Sequence, residues 1–222
     1  MSIEVLYEDR SIIVIYKPAG LATQTANVRQ PDCVSLIKEH IRAESPGNKK
    51  EPYVGIVHRL DQPVAGILVF AKDSKAASSL SRQVQSSVMN KNYLAMVEGI
   101  LDVPEETELT DRLYKDGKAG KAIVADQAPS GIRIQEASLT YRTKQILEEE
   151  NKTILSVRLI TGRFHQIRAQ LSHLGNPIVG DVKYGAKTSY PSGIALVANR
   201  LEFVHPATGE KVEKVVDFSF CL

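Results

Sequence analysis

Asp61 is the residue of this sequence best placed to do chemistry. It ends the polar segment His58-Arg59-Leu60-Asp61, which lies between the strand-like apolar runs of residues 53–57 and 66–70. The backbone of a short break between two strands holds a carboxylate firmly, so Asp61 could act as a nucleophile or as a base. Arg59 and the glycine at position 66 suit a site that approaches a phosphodiester chain. The alternative is that Asp61 only closes a loop.

A second polar segment, residues 161–168, lies where a predicted strand gives way to a predicted helix. On that helix Ile167, Leu171 and Leu174 share one face, and we expect this face to dock on a sheet. Arg168 falls on another face, so we expect it to be free to point into a site beside the sheet. The alternative is an ordinary surface arginine.

The composition is that of an ordinary globular protein. Of its 222 residues 43% are hydrophobic, and 28 basic against 26 acidic residues give a net charge of +2. This balance is compatible with nucleic-acid binding but does not indicate it. No apolar run is long enough to cross a bilayer, and the first residues do not form a signal peptide. With only two distant cysteines, Cys33 and Cys221, we expect no disulfide framework and a reducing cytoplasm.

Hydrophobic periodicity predicts more strands than helices. Strands are expected near residues 3–7, 12–16, 53–57, 66–70, 91–99, 138–147, 152–160, 194–203 and 212–218, with further hairpins between residues 107 and 134. Helices are expected near residues 34–41, 74–88 and 164–174, the second of them with Ser74 as its N-cap. This pattern favours an α+β fold with a largely antiparallel, mixed central sheet flanked by helices and loops. We expect residues 1–222 to form one catalytic domain.

Five blocks of the sequence resemble the RluA branch of the pseudouridine synthases, enzymes that isomerise uridine within RNA. The blocks follow the order of the family, and they are residues 7–20, 58–72, 91–99, 161–185 and 201–210. The resemblance implies the pseudouridine synthase fold. Because the first strand begins by Ile3, we expect a stand-alone catalytic domain without the small S4-type RNA-binding domain that precedes it in some members.

The resemblance also implies roles for five residues. Asp61 is the essential carboxylate, and whether it attacks C1′, attacks the base or removes the ribose 2′ hydrogen stays open. Arg168 is the positive partner that keeps Asp61 ionised in a partly dry pocket. Tyr93 is implied to stack on the uracil and to assist removal of the C5 proton, and Leu196 to line the uracil pocket. Arg59 is implied to fill the space that an extruded nucleotide vacates.

Three of these positions have ordinary structural explanations when they are taken alone. Tyr93 fits a half-buried strand position, Leu196 an ordinary core position, and Arg59 a solvated loop. The sequence also departs from the family pattern at three places, namely Tyr16, Val64-Ala65 and Val197. These departures concern the details of the pocket and of the RNA contacts more than the activity.

The reaction that the resemblance implies breaks the uracil N1–ribose C1′ bond, turns the base, and joins C5 to C1′. It requires no redox change, so we expect no cofactor. His58 and His165 have no third ligand at a suitable spacing, so we expect no metal site and assign both histidines structural or RNA-contacting roles. The expected partner is a ribosomal or transfer RNA. We expect the protein to be a monomer that binds no membrane and needs no obligatory protein partner.

Two clusters of lysines could meet RNA phosphates, Lys49-Lys50 and the set Lys115, Lys118 and Lys121. The alternative for either cluster is a solvated loop. Two other classes of function would use the same fold. One is a catalytically silent RNA-binding protein, and the other is a nucleoside N-glycosidase that uses Asp61 and releases free uracil.

Overall fold

The computed structural model describes residues 3–27, 29–47 and 50–221 of the chain. The chain divides into two compact units. The first unit comprises Met1–Asn90 and Ala198–Asp217, and the second comprises Lys91–Val197 and Phe218–Leu222. The expectation of one catalytic domain stays a prediction. Within the described ranges, no helix combines the length and the apolar character that a membrane crossing requires.

Strands outnumber helices, as the periodicity predicts. The strands are β1 (Glu4–Glu8), β2 (Ile12–Lys17), β3 (Gly55–Ile56), β4 (Ala65–Ala71), β5 (Asn90–Glu98), β6 (Thr107–Asp116), β7 (Lys121–Val124), β8 (Gln135–Leu147), β9 (Lys152–Leu159), β10 (Leu196–Val204) and β11 (Lys211–Val215). The helices are α1 (Cys33–Glu44), α2 (Ser74–Gln85) and α3 (Gln166–His173), with a short 3-10 helix at Val182–Tyr184.

In the first unit the strand order is β1-β2-β4-β10, with β3 paired to β4 and β11 paired to β10. Antiparallel pairing joins β1 to β2, as the predicted hairpin requires, and also β2 to β4. The two inner strands are buried along nearly their whole length, because both are continuous runs of apolar residues. A rigid inner pair of strands therefore carries the loop that contains Asp61.

Helix α2 covers the core of the first unit with Ala76 and Leu80, which are both buried. Its N-cap is Asp73 and not Ser74 as predicted. The Asp73 carboxylate accepts a hydrogen bond from the Ala76 amide at 2.8 Å, and the extended backbone of Asp73 lets its side chain reach that amide. Ser74 is instead the first residue of the helix.

In the second unit the strand order is β5-β9-β8-β6-β7. Antiparallel pairing joins each of these neighbours, so the predicted long pair of strands around residue 150 and the predicted hairpins are present. Helix α3 buries Ile167 and Leu171 as expected. The expectation for Leu174 is wrong, because the helix ends at His173 and the side chain of Leu174 is 37% exposed.

Candidate active site

Asp61 lies in the first unit, in a tight turn between β3 and β4. Its carbonyl accepts a hydrogen bond from the amide of Val64 at 3.0 Å, and its side chain is half-buried. The preceding residue, Leu60, is fixed through both its backbone amide and its backbone carbonyl. Thr23 Oγ1 donates to the Leu60 carbonyl at 3.0 Å and accepts from the Leu60 amide at 3.3 Å. The loop that carries Asp61 is therefore bound to the chain segment that follows β2.

Lys17 is fully buried at the end of β2, and it fixes the same loop. Its ammonium donates to the carbonyls of Pro18 at 3.1 Å, Leu21 at 2.7 Å and Gln62 at 3.1 Å. Burial lowers the pKa of Lys17 to about 8, while the negative charge of Asp61 acts in the opposite direction. The sequence gives no signal for this role, because the partners of the Lys17 ammonium are backbone carbonyls.

Gly66 begins the buried part of β4, and its backbone requires glycine. Its φ angle is +132°, and a Cβ at this position would lie 2.3 Å from the carbonyl oxygen of Ala198 in β10. The side chain of Val64, two residues before Gly66, is buried with 3% of its surface exposed. In this chain the position therefore contributes to packing and supplies no hydroxyl to the site.

The two other predicted residues of this segment differ in exposure. Arg59 is exposed, as a residue that meets RNA must be. His58 is half-buried, and its Nε2 accepts a hydrogen bond from the amide of Val69 in β4 at 3.2 Å. That bond uses the lone pair that a metal would need at Nε2, which supports the structural role for His58.

Tyr93 and Leu196 lie in the second unit, and both are buried, with 6% and 4% of their surfaces exposed. Tyr93 sits in β5 opposite Val157 of β9. Near the start of the same strand, burial lowers the pKa of Lys91, and a Cβ at Gly162 would lie 3.3 Å from its ammonium. Burial at Tyr93 and Leu196 agrees both with a base pocket and with an ordinary core.

Arg168 also lies in the second unit, where it is buried, so the alternative of an ordinary surface arginine is wrong. Its Nε and Nη2 atoms bind the two oxygens of Asp181 at 2.7 and 2.8 Å. The exposed fractions of the two side chains are 6% and 1%, so this bidentate pair is shielded from water. The predicted pair of Arg168 and Asp61 joins residues of different units, and it stays a prediction.

Sequence reasoning missed Asp181, although one signal was available. Asp181 follows Gly180 in a glycine-rich loop that belongs to one of the five matched blocks. The φ angle of Gly180 is +85°, and a Cβ there would lie 2.2 Å from the carbonyl of Gly193. Only glycine can occupy position 180, and such a position directly before an acid indicates a carboxylate held in a fixed direction.

An aromatic pair stands beside this ion pair in the second unit. The guanidinium of Arg168 lies 5.0 Å from the centre of the Tyr184 ring. His165, the N-cap of α3, adopts a left-handed conformation with φ 50°, and its Nδ1 lies 2.9 Å from the Tyr184 hydroxyl. The hydroxyl also accepts a hydrogen bond from the amide of Ala122 in β7 at 2.7 Å. These contacts give His165 the structural role that was one of its two expected roles.

One group of side chains could hold a cation. Among the described residues, ligand atoms of Glu8, His40 and Glu44 lie within 4.8 Å of one another. The ammonium of Lys72 already contacts the Glu8 carboxylate at 2.5 Å, and the pKa of Glu8 is lowered by hydrogen bonds from Lys72 and His40, which outweigh the effect of burial. We therefore regard the cluster as an ion-pair network.

This chain is similar to known proteins over most of its length. The family described as RNA pseudouridylate synthase matches residues 11–173. The ribosomal large subunit pseudouridine synthase D of Xanthomonas campestris pv. campestris is 34% identical over 95% of this chain. The tRNA pseudouridine synthase C of Pasteurella multocida is 31% identical over 96% of this chain and 90% of its own length. This chain spans only 64% of the length of the Xanthomonas protein.

A solved structure supports the fold. Human RNA Pseudouridylate Synthase Domain Containing 4 superposes with a TM-score of 0.74 at 22% identity, over 97% of this chain and 88% of its own. The likeness confirms the predicted pseudouridine synthase fold. Since the family matches most of the residues and a relative with 34% identity covers 95% of them, the chain belongs to the RNA pseudouridylate synthase family, in its RluA branch.

Proposed function

We propose that this protein isomerises uridine to pseudouridine in a ribosomal or transfer RNA, with Asp61 as the essential carboxylate. Membership of the family supports the reaction, and the printed names of two relatives support these two classes of RNA. The observation that carries the assignment to Asp61 is its anchored loop. Thr23 holds the carbonyl of Leu60, and the buried ammonium of Lys17 holds the carbonyl of Gln62, so the residues before and after Asp61 are both anchored.

The reaction conserves the atoms of the nucleotide. The bond between N1 of uracil and C1′ of ribose breaks, and a bond between C5 and C1′ forms. C5 loses its proton to water, and N1 gains a proton. Asp61 acts as a nucleophile or as a base at this centre, and an ionised carboxylate is required in either case.

Arg168 is our candidate for the positive partner of Asp61. A guanidinium offers five N–H donors in a planar fork that matches carboxylates, and Arg168 already binds Asp181 in this way. The buried bidentate pair also fixes the direction of the guanidinium, and a charge that is fixed in advance stabilises a reacting group more than a mobile one.

Three further residues complete the proposed site. Tyr93 stacks on the uracil, and Leu196 lines the base pocket. A base pocket needs walls that hold their positions, and both side chains meet this need because each is buried within a strand. Arg59 occupies the space that the flipped nucleotide leaves, a role that its exposure allows.

We also propose that the protein acts as a monomer in the cytoplasm, with RNA as its partner and no obligatory protein partner. Cys33 and Cys221 are both free thiols in the structure, which suits a reducing compartment. Light scattering on the purified protein with and without RNA measures the oligomeric state, and a stable dimer in both conditions would contradict this part of the proposal.

Tritium release tests the reaction directly. Unmodified ribosomal and transfer RNA transcripts with tritium at uridine C5 are incubated with the wild-type protein, with Asp61→Asn and with Asp102→Asn. Asp102 is an exposed loop carboxylate and serves as the matched control. We expect tritium in water from the wild-type protein and from the control, and none from Asp61→Asn. Release by Asp61→Asn at the wild-type rate would refute the assignment.

The products separate the two alternative functions. An N-glycosidase would yield free uracil, which chromatography of the reaction mixture detects. An RNA-binding protein without activity would bind the transcripts and release no tritium. Mapping of pseudouridine in RNA from cells with and without the gene then identifies the target uridine.

A further inference from the structure

Phe164 is an exposed aromatic side chain with a fixed orientation. It lies between β9 and α3 in the second unit, and 36% of its surface is exposed. Its ring stacks on the imidazole of His165 with 3.8 Å between the ring centres and 19° between the planes. Single exposed apolar residues are common on protein surfaces and need no functional explanation. Phe164 differs from such residues because its ring is held flat against a second ring.

The supporting residues explain why the stack is rigid. The Tyr184 ring meets His165 edge-on, at 74°, and its hydroxyl ties His165 to β7. On the other side, the Arg163 amide donates to Gln166 Oε1 at 2.9 Å, and the Arg163 side chain donates to the Glu136 carbonyl at 2.9 Å. Phe164 therefore projects from a backbone that is anchored both before and after it.

Lysine ammonium groups lie over two of the aromatic rings in this cluster. The ammonium of Lys115, at the end of β6, lies 4.7 Å from the centre of the Phe164 ring. The ammonium of Lys121, at the start of β7, lies 5.8 Å from the centre of the Tyr184 ring. Lys118 is exposed in the turn between the two strands. Within the part of the chain that the structure describes, these three lysines form no ion pair.

The turn between β6 and β7 begins at one acid, Asp116, and its carboxylate binds backbone amides of the same turn. The Asp116 carboxylate accepts hydrogen bonds from the amides of Lys118 and Ala119 at 2.8 and 3.0 Å. The carboxylate therefore shapes the turn, and its single charge against three lysines leaves residues 115–121 with a net charge of +2. A flat ring beside ammonium groups is complementary to a flat base joined to phosphates.

We propose that Phe164 and the lysines of the β6–β7 hairpin bind an unpaired nucleotide of the RNA substrate, other than the uridine that reacts. This inference rests on the proposed function. The base stacks on the Phe164 ring, while Lys115 turns from the ring to a phosphate. A base within a duplex keeps its faces covered by its neighbours, so the platform selects single-stranded or bulged RNA.

A single tryptophan can report on this stacking, because the wild-type chain contains none. Phe164→Trp is titrated with a nine-residue oligouridylate, and Val88→Trp serves as the control. Val88 is 47% exposed and lies in the first unit, so its tryptophan has comparable solvent access without the platform. We expect saturable quenching for Phe164→Trp and little for Val88→Trp. Equal quenching in both proteins, or none in either, would overturn the proposal.

Two competing ligands sharpen the result. A duplex RNA of the same length should quench Phe164→Trp weakly. Poly-glutamate should not quench it, since an acidic peptide meets the lysines but has no base to stack. Quenching by poly-glutamate as strong as that by oligouridylate would show an acidic protein partner and refute the nucleotide.

Kinetics separate this proposal from the proposed function. Phe164→Leu should raise KM for the RNA substrate by about 5- to 150-fold, the range that loss of one base stack produces, with a much smaller change in kcat. Phe164→Tyr should restore KM. An unchanged KM in Phe164→Leu, with tritium release intact, would refute the platform alone. Quenching without tritium release by the wild-type protein would refute the proposed function alone.

Discussion

The buried pair of Arg168 and Asp181 allows a quantitative test of how the second unit is held together. Both hydrogen bonds are short, and neither side chain is more than 6% exposed. Replacing Asp181 with alanine leaves a guanidinium in a dry site with part of its coordination missing. Replacing Arg168 with methionine leaves a carboxylate there. Each change removes one partner and strands the other.

The expected magnitude follows from the burial. Loss of one partner of a buried ion pair costs about 3–5 kcal/mol, because the remaining charge keeps its desolvation penalty without the attraction. We expect this cost for Asp181→Ala and for Arg168→Met. The double variant should cost about as much as one single variant, which gives a coupling energy of about 3–5 kcal/mol. That is a large share of the roughly 5–15 kcal/mol that stabilises a typical domain.

Urea unfolding followed by circular dichroism measures the four free energies of the cycle. An exposed pair in the same unit provides the control. Arg158 Nη2 lies 3.0 Å from Glu106 Oε1, but the side chains are 45% and 54% exposed. The corresponding cycle with Arg158→Met and Glu106→Ala should give a coupling of about 0.2–1 kcal/mol, because water screens the pair.

The outcome that refutes this reasoning is additivity at the buried pair. If the Arg168 and Asp181 substitutions sum within about 0.5 kcal/mol, the two side chains do not depend on each other. Equal coupling energies in the two cycles would likewise show that burial contributes nothing. A changed urea dependence of the free energy in one variant would instead indicate an altered unfolded state, and hydrogen exchange of α3 amides then decides the question.

Two further predictions concern the loop of Asp61. Because burial lowers the pKa of Lys17 to about 8, the unfolded chain retains between pH 8 and 10.5 a proton that the folded chain has released. The free energy of unfolding should therefore rise with pH in this window, by up to about 3 kcal/mol relative to Lys17→Met, in urea titrations at several pH values. Equal pH slopes would contradict the assignment. Gly66→Ala should cost about 2–6 kcal/mol, the sum of backbone strain and overpacking against Ala198. Gly117→Ala, where a Cβ meets nothing within 4 Å, is the control in the same thermal denaturation experiment, and equal losses would refute the role of Gly66.

Periodicity predicted the elements well where one physical signal dominates. The fully buried strands β2 and β4 are uninterrupted apolar runs, and the short helix α1 shows apolar residues at helical spacing. The errors are at helix ends, where neighbouring residues can cap the helix almost equally well. Asp73 and Ser74 are both good N-caps, and only the backbone conformation decides between them. The left-handed backbone of His165 likewise was not predicted, because histidine favours this conformation only weakly.

The site was predicted less completely, for a reason that concerns partners and not residue types. Motif blocks indicated Asp61 and Arg168 as candidates, but the pattern cannot show what each side chain is bound to. Asp181 is 13 residues from Arg168, across a loop whose path depends on Gly180. Its role became visible only when the distance between the two side chains was known.

Lys17 shows the same limit most clearly. A lysine before a proline indicates the end of a strand, and it gives no reason to expect a buried charge. The three partners of its ammonium are carbonyls, and every residue has a carbonyl. A buried ammonium without such partners would be expelled to solvent, whereas here it links the segment after β2 to the loop of Asp61. The loop that carries Asp61 is thus held by a cation that contacts backbone atoms, and side-chain patterns in a sequence do not encode that contact.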